Sequence, residues 1–344
     1  LVSLDDGHVK LGNKVPAEEL YTKNEYAYRT QNSFKSNNGV KVFLEFCKEF
    51  ISDKQFNKVL DIGGNDLSLI KNFLSHSNES YVIDPICEED DGKSIGNINV
   101  IGKMVEDVDL TSINPDLILC RHTLEHIENP LNFFEQLVDQ CDEKCTFIFE
   151  VPCFDSLMES MRFDAVFHQH LHYFTLEDLK WLLWKVGAEM LGHKYNFQGS
   201  CGGALLFAFK KANKTSKIIE KPNSEQKIKL LKSKIKLYEE QMLVFQEQIK
   251  YLPKPIYGYG AGLMLSTLGH HLKTDFKMLE CILDDDPDKD GMTYKNVPVE
   301  VKYSKSIDVP KNSSFLITSL ENIRPIYRRI LELHPRRVLL PSIC

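Results

Sequence analysis

The stretch that most narrows what this chain can fold into is KVLDIGGNDLSLIKNFL, followed shortly by YVIDP. Val59 to Ile62 reads as a buried strand, Gly63-Gly64-Asn65-Asp66 as a tight turn, and Ser68 to Leu74 as the opening of a helix. Tyr81 to Ile83 reads as a second strand that ends at Asp84-Pro85. Glycines let the backbone pass close to a ligand, and a helix start offers unpaired N–H groups. An acid about 20 residues past the glycines is placed to accept hydrogen bonds from a ribose diol. Together these pieces predict an α/β unit with a cofactor over the carboxyl ends of its strands.

The pattern continues along the chain. Short apolar runs at Asn99 to Ile101, Asp116 to Cys120, Thr146 to Val151 and Ala204 to Phe209 read as strands. Helical periodicity appears from about Gly39 to Ile51, from Glu125 to Val138 and from Thr175 to Val186. Thr175 is the expected N-cap and Gly187 the expected stop of the last of these. Strands alternating with helices imply a parallel sheet with helices on both faces. Residues 210 to 224, rich in Lys, Asn, Ser and Pro, read as a linker. Ile228, Leu231, Ile235, Tyr238, Met242, Phe245 and Ile249 then recur at 3-4 spacing, on a helix of roughly 25 residues and about 37 Å. That seam fits either a connecting helix packed on its own chain or a coiled-coil homodimer. The last 90 or so residues repeat the α/β logic: PIYGYGAG carries a strand into a second glycine turn (Gly258, Gly260, Gly262), and Met278 to Leu283 reads as a strand ending in DDDPDKDG. Leu263 stands where GxGxxG needs its third glycine, which argues against a nicotinamide dinucleotide.

Composition closes off several classes. With 42 basic and 49 acidic residues, a formal charge of -7 and no basic block, nucleic acid is not an expected partner. No apolar run reaches the length of a membrane span. The opening LVSLDDGHVK lacks the pattern of a signal peptide, and the missing initiating Met suggests that something upstream was removed. Nine cysteines, an odd number without a CxxC pair, fit free thiols in a reducing cytoplasm rather than a disulfide frame or a structural zinc site.

The chemistry centres on FDAVFHQHLHYFT, residues 163 to 175, where His168, His170 and His172 alternate within an aromatic frame. On an extended strand all three would share one face, which would suit a metal. They also fit imidazoles packed among aromatics, or a base that takes a proton from a hydroxyl or an activated carbon. The string His122-Thr-Leu-Glu125-His126 matches the inverted zinc-peptidase pattern HxxEH. Its place just after a strand favours a cofactor-side loop, with His122 near the cofactor, and no resident metal is expected.

The chain resembles the class I S-adenosylmethionine-dependent methyltransferases, and within them the sugar C-methyltransferases of deoxysugar pathways. The resemblance runs from about Tyr21 to the C-terminus, through LDIGGNDLSL, VIDP, PDLILCRHTLEHIENPLNFFEQL, FIFEVP, FDAVFHQHLHYF, GSCGGALLF and YGYGAG with ILDDDPDKDG. It implies a class I methyltransferase Rossmann-like parallel sheet plus a second, smaller Rossmann-like C-terminal domain. The implied divisions are an N-terminal arm at 1–38, an S-adenosylmethionine-binding domain at 39–210, a linker and long helix at 211–253, and a substrate domain at 254–344. The implied cofactor site is Asp61, Gly63, Gly64, Asn65 and Asp84, with Met104, Val105 and Arg121 near the adenine. A nucleotide-linked sugar would be held between the domains, lined by Gln169, Tyr173, Gly202, Gly203, Gly258, Tyr259, Gly260 and Gly262. The family's Tyr-His-Glu-His segment maps to Phe167, His168, Gln169 and His170, which implies His170 as base with His168 beside it. Phe167 and Gln169 depart from that pattern, Leu67 replaces the family's glycine after Asn-Asp, and the family's four-cysteine zinc module is absent from this sequence. These departures leave carbon and oxygen acceptors both open.

Overall fold

The computed structural model describes residues 1–15, 34–51, 54–197, 199, 201–212 and 218–342. Tyr21, Tyr26 and Tyr28, expected in an arm over the cofactor, lie outside the described residues. The chain divides into two compact units: Leu1–Ser156 with His168–Ile228, and Leu157–Phe167 with Lys229–Cys344.

In the first unit, β1 (Val9–Lys10) precedes α1 (Phe34–Ile51) and the strands β2 (Phe56–Ile62), β3 (Ser77–Ile83), β4 (Ser94–Ile95) and β5 (Ile98–Ile101). The short helix α2 (Leu110–Ile113) leads to β6 (Leu117–Arg121), α3 (Pro130–Gln140), β7 (Thr146–Pro152) and α4 (Phe154–Glu159). After the histidine segment come β8 (His172–Tyr173), α5 (Leu176–Lys185), β9 (Ala188–Asn196) and β10 (Ala204–Lys211). Eight strands join in the order β4-β5-β3-β2-β6-β7-β10-β9. Strands β5, β3, β2, β6 and β7 run parallel, and β10 is antiparallel to both of its neighbours. β1 pairs with β8 in a separate two-stranded sheet.

The alternation of side chains along each strand explains why both faces are covered. Leu60 and Ile62 of β2, with Leu205, Phe207 and Phe209 of β10, enter one cluster with Phe134 and Leu137 of α3 and Leu179 and Leu183 of α5. Val59, Leu206 and Ala208 enter the other, against Phe43, Phe46 and Cys47 of α1. α1 lies over β6 as well. Gly39 leaves room there for the Arg121 guanidinium, since a Cβ at that position would overlap it.

Two predicted helices differ. The helix expected at Ser68 to Leu74 is a single 3-10 turn, Ile70–Phe73. Asn65 and Leu67 adopt left-handed φ values of 45° and 62°, so the chain doubles back before a helix can start. Among the described residues, no long helix N-terminus therefore faces the glycine turn. The continuous helix expected from Glu125 to Val138 splits into a 3-10 turn, Leu124–His126, and α3. Pro130 disfavours helical backbone at the residue before it, and Asn129 caps α3 through its side chain to Asn132 N.

In the second unit, α6 (Ser224–Lys250) crosses in from the first unit, followed by β11 (Ile256–Tyr259), α7 (Leu265–His271), β12 (Ile282–Asp284), β13 (Val301–Tyr303), β14 (Ser314–Ile317), α8 (Ile323–Glu332) and β15 (Arg337–Leu339). Its five strands are all parallel, in the order β13-β12-β11-β14-β15. Of the heptad positions on α6, Leu231, Tyr238, Met242 and Ile249 are buried within the chain. Leu230, Leu237, Val244 and Tyr251 form an exposed stripe along α6 and its end, at intervals of seven. Among the described residues no helix is long and apolar enough to cross a membrane.

The start of α5 is tied down by charge. Thr175 and Asp178 form a reciprocal capping box, with Thr175 N donating to Asp178 Oδ2 (3.0 Å) and Asp178 N to Thr175 Oγ1 (3.2 Å). Lys227 Nζ lies 2.7 Å from both carboxylate oxygens, and His8 Nδ1 lies 3.7 Å from Oδ2. Burial pushes the Asp178 carboxyl up, but His8 and Lys227 outweigh it and hold it at about 2, against an ordinary 3.8. As pH falls the unfolded chain takes the proton first. The contribution, about 2 kcal/mol, is therefore complete above about pH 4 and lost as pH falls toward 2. The expected outcome in denaturant titrations is that wild type exceeds Asp178→Asn in stability at pH 6 and that this gap closes by about 2 kcal/mol near pH 2. A gap independent of pH would refute the assignment.

Candidate active site

The glycine turn after β2 is shaped by its neighbours. Gly63 has φ +75°, and a Cβ there would overlap the Thr123 side chain. A Cβ on Gly64 would come within 2.6 Å of Val82 Cγ1. Leu67 keeps the left-handed backbone that suits the glycine of the resembled family, and its side chain is buried in the α1 cluster. Burial of a leucine, about 1.5–3 kcal/mol, offsets a backbone cost of about 1–3 kcal/mol. The turn is pinned by Asp84 at the end of β3. Its Oδ2 accepts from Asn65 N (2.8 Å) and its Oδ1 from Ile86 N (2.9 Å). The carboxylate expected to meet a ribose diol thus also fixes the loop that would cradle it. Beneath Gly64 lies Asp61, 1% exposed, whose Oδ2 has no hydrogen-bond partner among the described residues. Burial, reinforced by Asp84 and opposed by Arg121, pushes the Asp61 carboxyl up to about 8. Two glycines over a buried carboxyl oxygen without a partner among the described residues fit a ligand that brings hydroxyl or ammonium donors, as S-adenosylmethionine does.

Beside this loop, the residues after β6 carry a second group of acids and imidazoles. Arg121 Nε donates to Glu150, a fully buried acid in the middle of β7. His122 has φ +53°, and its N–H donates to the Glu150 carbonyl at 2.8 Å. Its ring bridges two acids, with Nδ1 3.3 Å from Glu125 Oε1 and Nε2 3.7 Å from Glu150 Oε1. Glu125 is fully buried, and burial, opposed by His126 and Arg121, pushes its carboxyl up to about 7. Thr123, next after His122, packs on Gly63 and donates to the Ile62 carbonyl at 3.3 Å. One short loop therefore touches the glycine turn on one side and the histidine segment on the other.

The three alternating histidines do not share a face. His168 is exposed. His172 is buried against His8, with Nδ1 2.9 Å from His8 Nε2 and Nε2 3.2 Å from the Glu128 carbonyl. Burial and then His8 hold its imidazole at about 4. His170 is buried with its Nε2 3.8 Å from Glu125 Oε1 and its ring 5.2 Å from that of His126. Burial, then His126, His122 and His168, hold it well below 6.5, so the ring is uncharged at neutral pH. Gln169 turns its backbone oxygen to His126 Nδ1 at 2.7 Å. Tyr173 is buried, with its ring 5.6 Å from Phe154 and 6.3 Å from His170.

The remaining expected site residues fall elsewhere. Val105 is buried in the α3 cluster and offers its backbone, and Met104 is half-buried at the start of the same 3-10 turn. Gly202 and Gly203 have φ of 86° and 133° and close on Ser156, whose Oγ donates to the Gly202 carbonyl at 2.7 Å. In the second unit, Gly260 has φ +101° with its carbonyl accepting from Thr318 Oγ1 (2.8 Å), and Gly262 accepts from Tyr294 Oη (3.1 Å). Gly258 lies within β11, and Tyr259 donates to Asp285 at 2.7 Å. Ala261 N donates to Asp284 Oδ2 at 2.7 Å, so this turn is pinned by a strand-end acid as the first turn is by Asp84. Glu125, His126 and Glu150 were not among the expected site residues. Glu150 has a sequence signal, an acid inside the apolar strand TFIFEVP, since buried charge in a strand asks for a reason.

Residues 39–193 match the family model described as a methyltransferase domain. No curated protein matches the chain. Among solved structures, the N-methyltransferase NodS from Bradyrhizobium japonicum WM9, in complex with S-adenosyl-L-homocysteine, is 14% identical. The match covers 54% of this chain and 92% of NodS, with a TM-score of 0.42. An S-adenosylmethionine-dependent methyltransferase from Clostridium acetobutylicum is 12% identical over 51% of this chain and 91% of its own, with a TM-score of 0.39. The family match spans the strands that carry the glycine turn, the buried acids and the histidine segment, in a mostly parallel sheet of the class I order. Residues 39–193, just under half of the chain, are thus similar to a methyltransferase domain.

Proposed function

We propose that this enzyme transfers the methyl group of S-adenosylmethionine to a nucleotide-activated sugar or a related surface-glycan precursor, with His170 as general base. When bound, the cofactor supplies an electrophilic methyl on its sulfonium sulfur. Asp61, Gly63, Gly64, Asn65 and Asp84 are the residues that would hold it. The protein's remaining tasks are to align the acceptor and to remove its proton.

The observation that carries the reading is the loop from His122 to His126. It packs on the glycine turn through Thr123 and reaches the His170 imidazole through Glu125. His170 is uncharged at neutral pH, which leaves a lone pair for a proton, and Glu125 lies close enough to stabilise the imidazolium that would form. The second unit supports a nucleotide-linked acceptor. Its parallel sheet is Rossmann-like, with a glycine turn pinned by Asp284 and a Tyr259–Asp285 pair at the strand ends. The motif order of the whole sequence, which resembles the sugar methyltransferases, supports the same class of acceptor.

A second reading, transfer to a hydroxyl oxygen, is favoured by two positions. Phe167 carries no phenol and Gln169 no carboxylate, whereas proton removal from a carbon beside a ketone needs both a base and stabilisation of the enolate oxygen. A sugar hydroxyl needs only the base and alignment. Solvent deuterium exchange into a keto-sugar nucleotide, run with S-adenosylhomocysteine in place of the donor, separates them. Exchange marks carbon transfer; no exchange, with methylation of the same acceptor in a parallel run with S-adenosylmethionine, marks oxygen transfer.

Two substitutions test the assignment. His170→Ala is expected to lower turnover by about 10²–10⁴-fold while calorimetry shows S-adenosylmethionine binding intact; unchanged turnover would remove His170 as base. Gly63→Ala, which forces a methyl group onto Thr123, is expected to weaken S-adenosylmethionine binding by at least about tenfold with the melting temperature of the chain largely retained. Full affinity in that variant would place the cofactor elsewhere.

A further inference from the structure

Around Glu125 three metal-ligating side chains converge. Glu125, His126 and His170 each present one such atom, all within 4.8 Å of one another. Glu125 Oε1 is 4.0 Å from His126 Nε2 and 3.8 Å from His170 Nε2. Both distances exceed hydrogen-bond reach. Glu125 Oε2 is fully buried and accepts no hydrogen bond among the described residues.

The tautomer of His126 sharpens the picture. Its Nδ1 lies 2.7 Å from the Gln169 carbonyl oxygen, which can only accept, so Nδ1 carries the hydrogen. In the neutral ring Nε2 then holds a lone pair and turns it toward a carboxylate oxygen. A carboxylate oxygen and an imidazole nitrogen 4.0 Å apart are compatible with a shared metal ion. An imidazole anchored through its other nitrogen to a backbone carbonyl is also how metal-ligating histidines are held.

From this geometry we infer that Glu125, His126 and His170 form a site for a divalent transition-metal ion of the zinc class. Two imidazole nitrogens and one carboxylate are a borderline donor set, suited to Zn²⁺, Co²⁺ or Fe²⁺ rather than Mg²⁺ or Ca²⁺. With bonds of about 2.0–2.2 Å, ligand atoms around a tetrahedral ion sit about 3.4 Å apart. Closing the two Glu125 distances needs movements of about half an ångström, and the third edge, within 4.8 Å, needs at most about 1.4 Å. Three protein ligands leave a position open for water or an acceptor oxygen. The side chains of His126 and His122, 14% and 21% exposed, offer the way in. The site uses part of the HxxEH string, but His170 from the later segment replaces His122 as the second imidazole. The alternating triplet itself gathers no metal site, because His168 and His172 lie elsewhere.

The inference about binding stands apart from the methyl acceptor. One consequence rests on the function proposed above: a bound metal takes the His170 lone pair, so saturating Zn²⁺ would suppress turnover if that ring is the base.

The test is titration of the full, untagged, chelator-treated chain with Co²⁺. The expected result is a visible ligand-field band of four-coordinate strength that saturates at one equivalent and is displaced by Zn²⁺. His126→Ala and Glu125→Gln should each weaken binding by at least about tenfold. Zn²⁺ should raise the melting temperature of wild type but not of either variant, which also checks that both variants fold. His193→Ala, a histidine away from the site, should titrate as wild type. No saturable band in wild type, or a band unchanged in both His126→Ala and Glu125→Gln, would overturn the site. A normal band with undiminished turnover in saturating Zn²⁺ would leave the site standing and count against His170 as base.

Discussion

The first unit depends on keeping four carboxyl groups out of water at one end of its sheet. Asp61, Asp84, Glu125 and Glu150 are each at most 5% exposed. Burying an acid is costly unless it is paired, hydrogen-bonded or neutralised, and the chain uses all three solutions. Glu150 takes Arg121 and His122, and Asp84 takes two backbone N–H groups. Asp61 and Glu125 instead have carboxyls shifted toward neutrality. Among the described residues Asp61, Glu125 and Glu150 each keep one oxygen without a hydrogen bond. A structure selected for stability alone has little use for such atoms, and their position beside the glycine turn and the buried imidazole is where chemistry would use them.

The surrounding fold serves that cluster. Parallel strands end together, so residues distant in sequence meet at one edge, and short loops after β2, β3 and β6 carry the polar groups. Glycine at 63 and 64 is required by Thr123 and Val82, which stand where side chains would be. Gly39 does the same for Arg121 on the helix side.

What could be read from the sequence was mostly local. The strand-turn-strand unit ending at Asp84, the cap at Thr175 and the strands at Leu117 and Thr146 rest on short-range pattern, and each is present. The misses have particular causes. β9, AEMLGHKYN, is a half-exposed edge strand without clean alternation. The helix after the glycine turn failed because left-handed backbone at Asn65 and Leu67 cannot be inferred from residue type when neither is glycine. The alternating histidines suggested one shared face, but only His172 lies in a strand, and that strand is two residues long. The partnership of Glu125 with His170 was invisible for another reason: it depends on which loop the sheet brings against which segment, and no local spacing encodes that.

The split of the chain between its compact units has a consequence for synthesis. Leu157–Phe167 belongs with Lys229–Cys344, although the ribosome makes it before the first unit is finished. Its Arg162 is buried between Asp164, Glu321 and the Leu320 carbonyl. Until residue 321 emerges, that guanidinium has Asp164 but lacks the rest of its shell. A nascent chain can therefore complete the sheet of the first unit while this short segment waits, hydrated, for its remaining partners. For the same reason the C-terminal part is not a cassette: cut at the linker before α6, it would leave its own arginine behind.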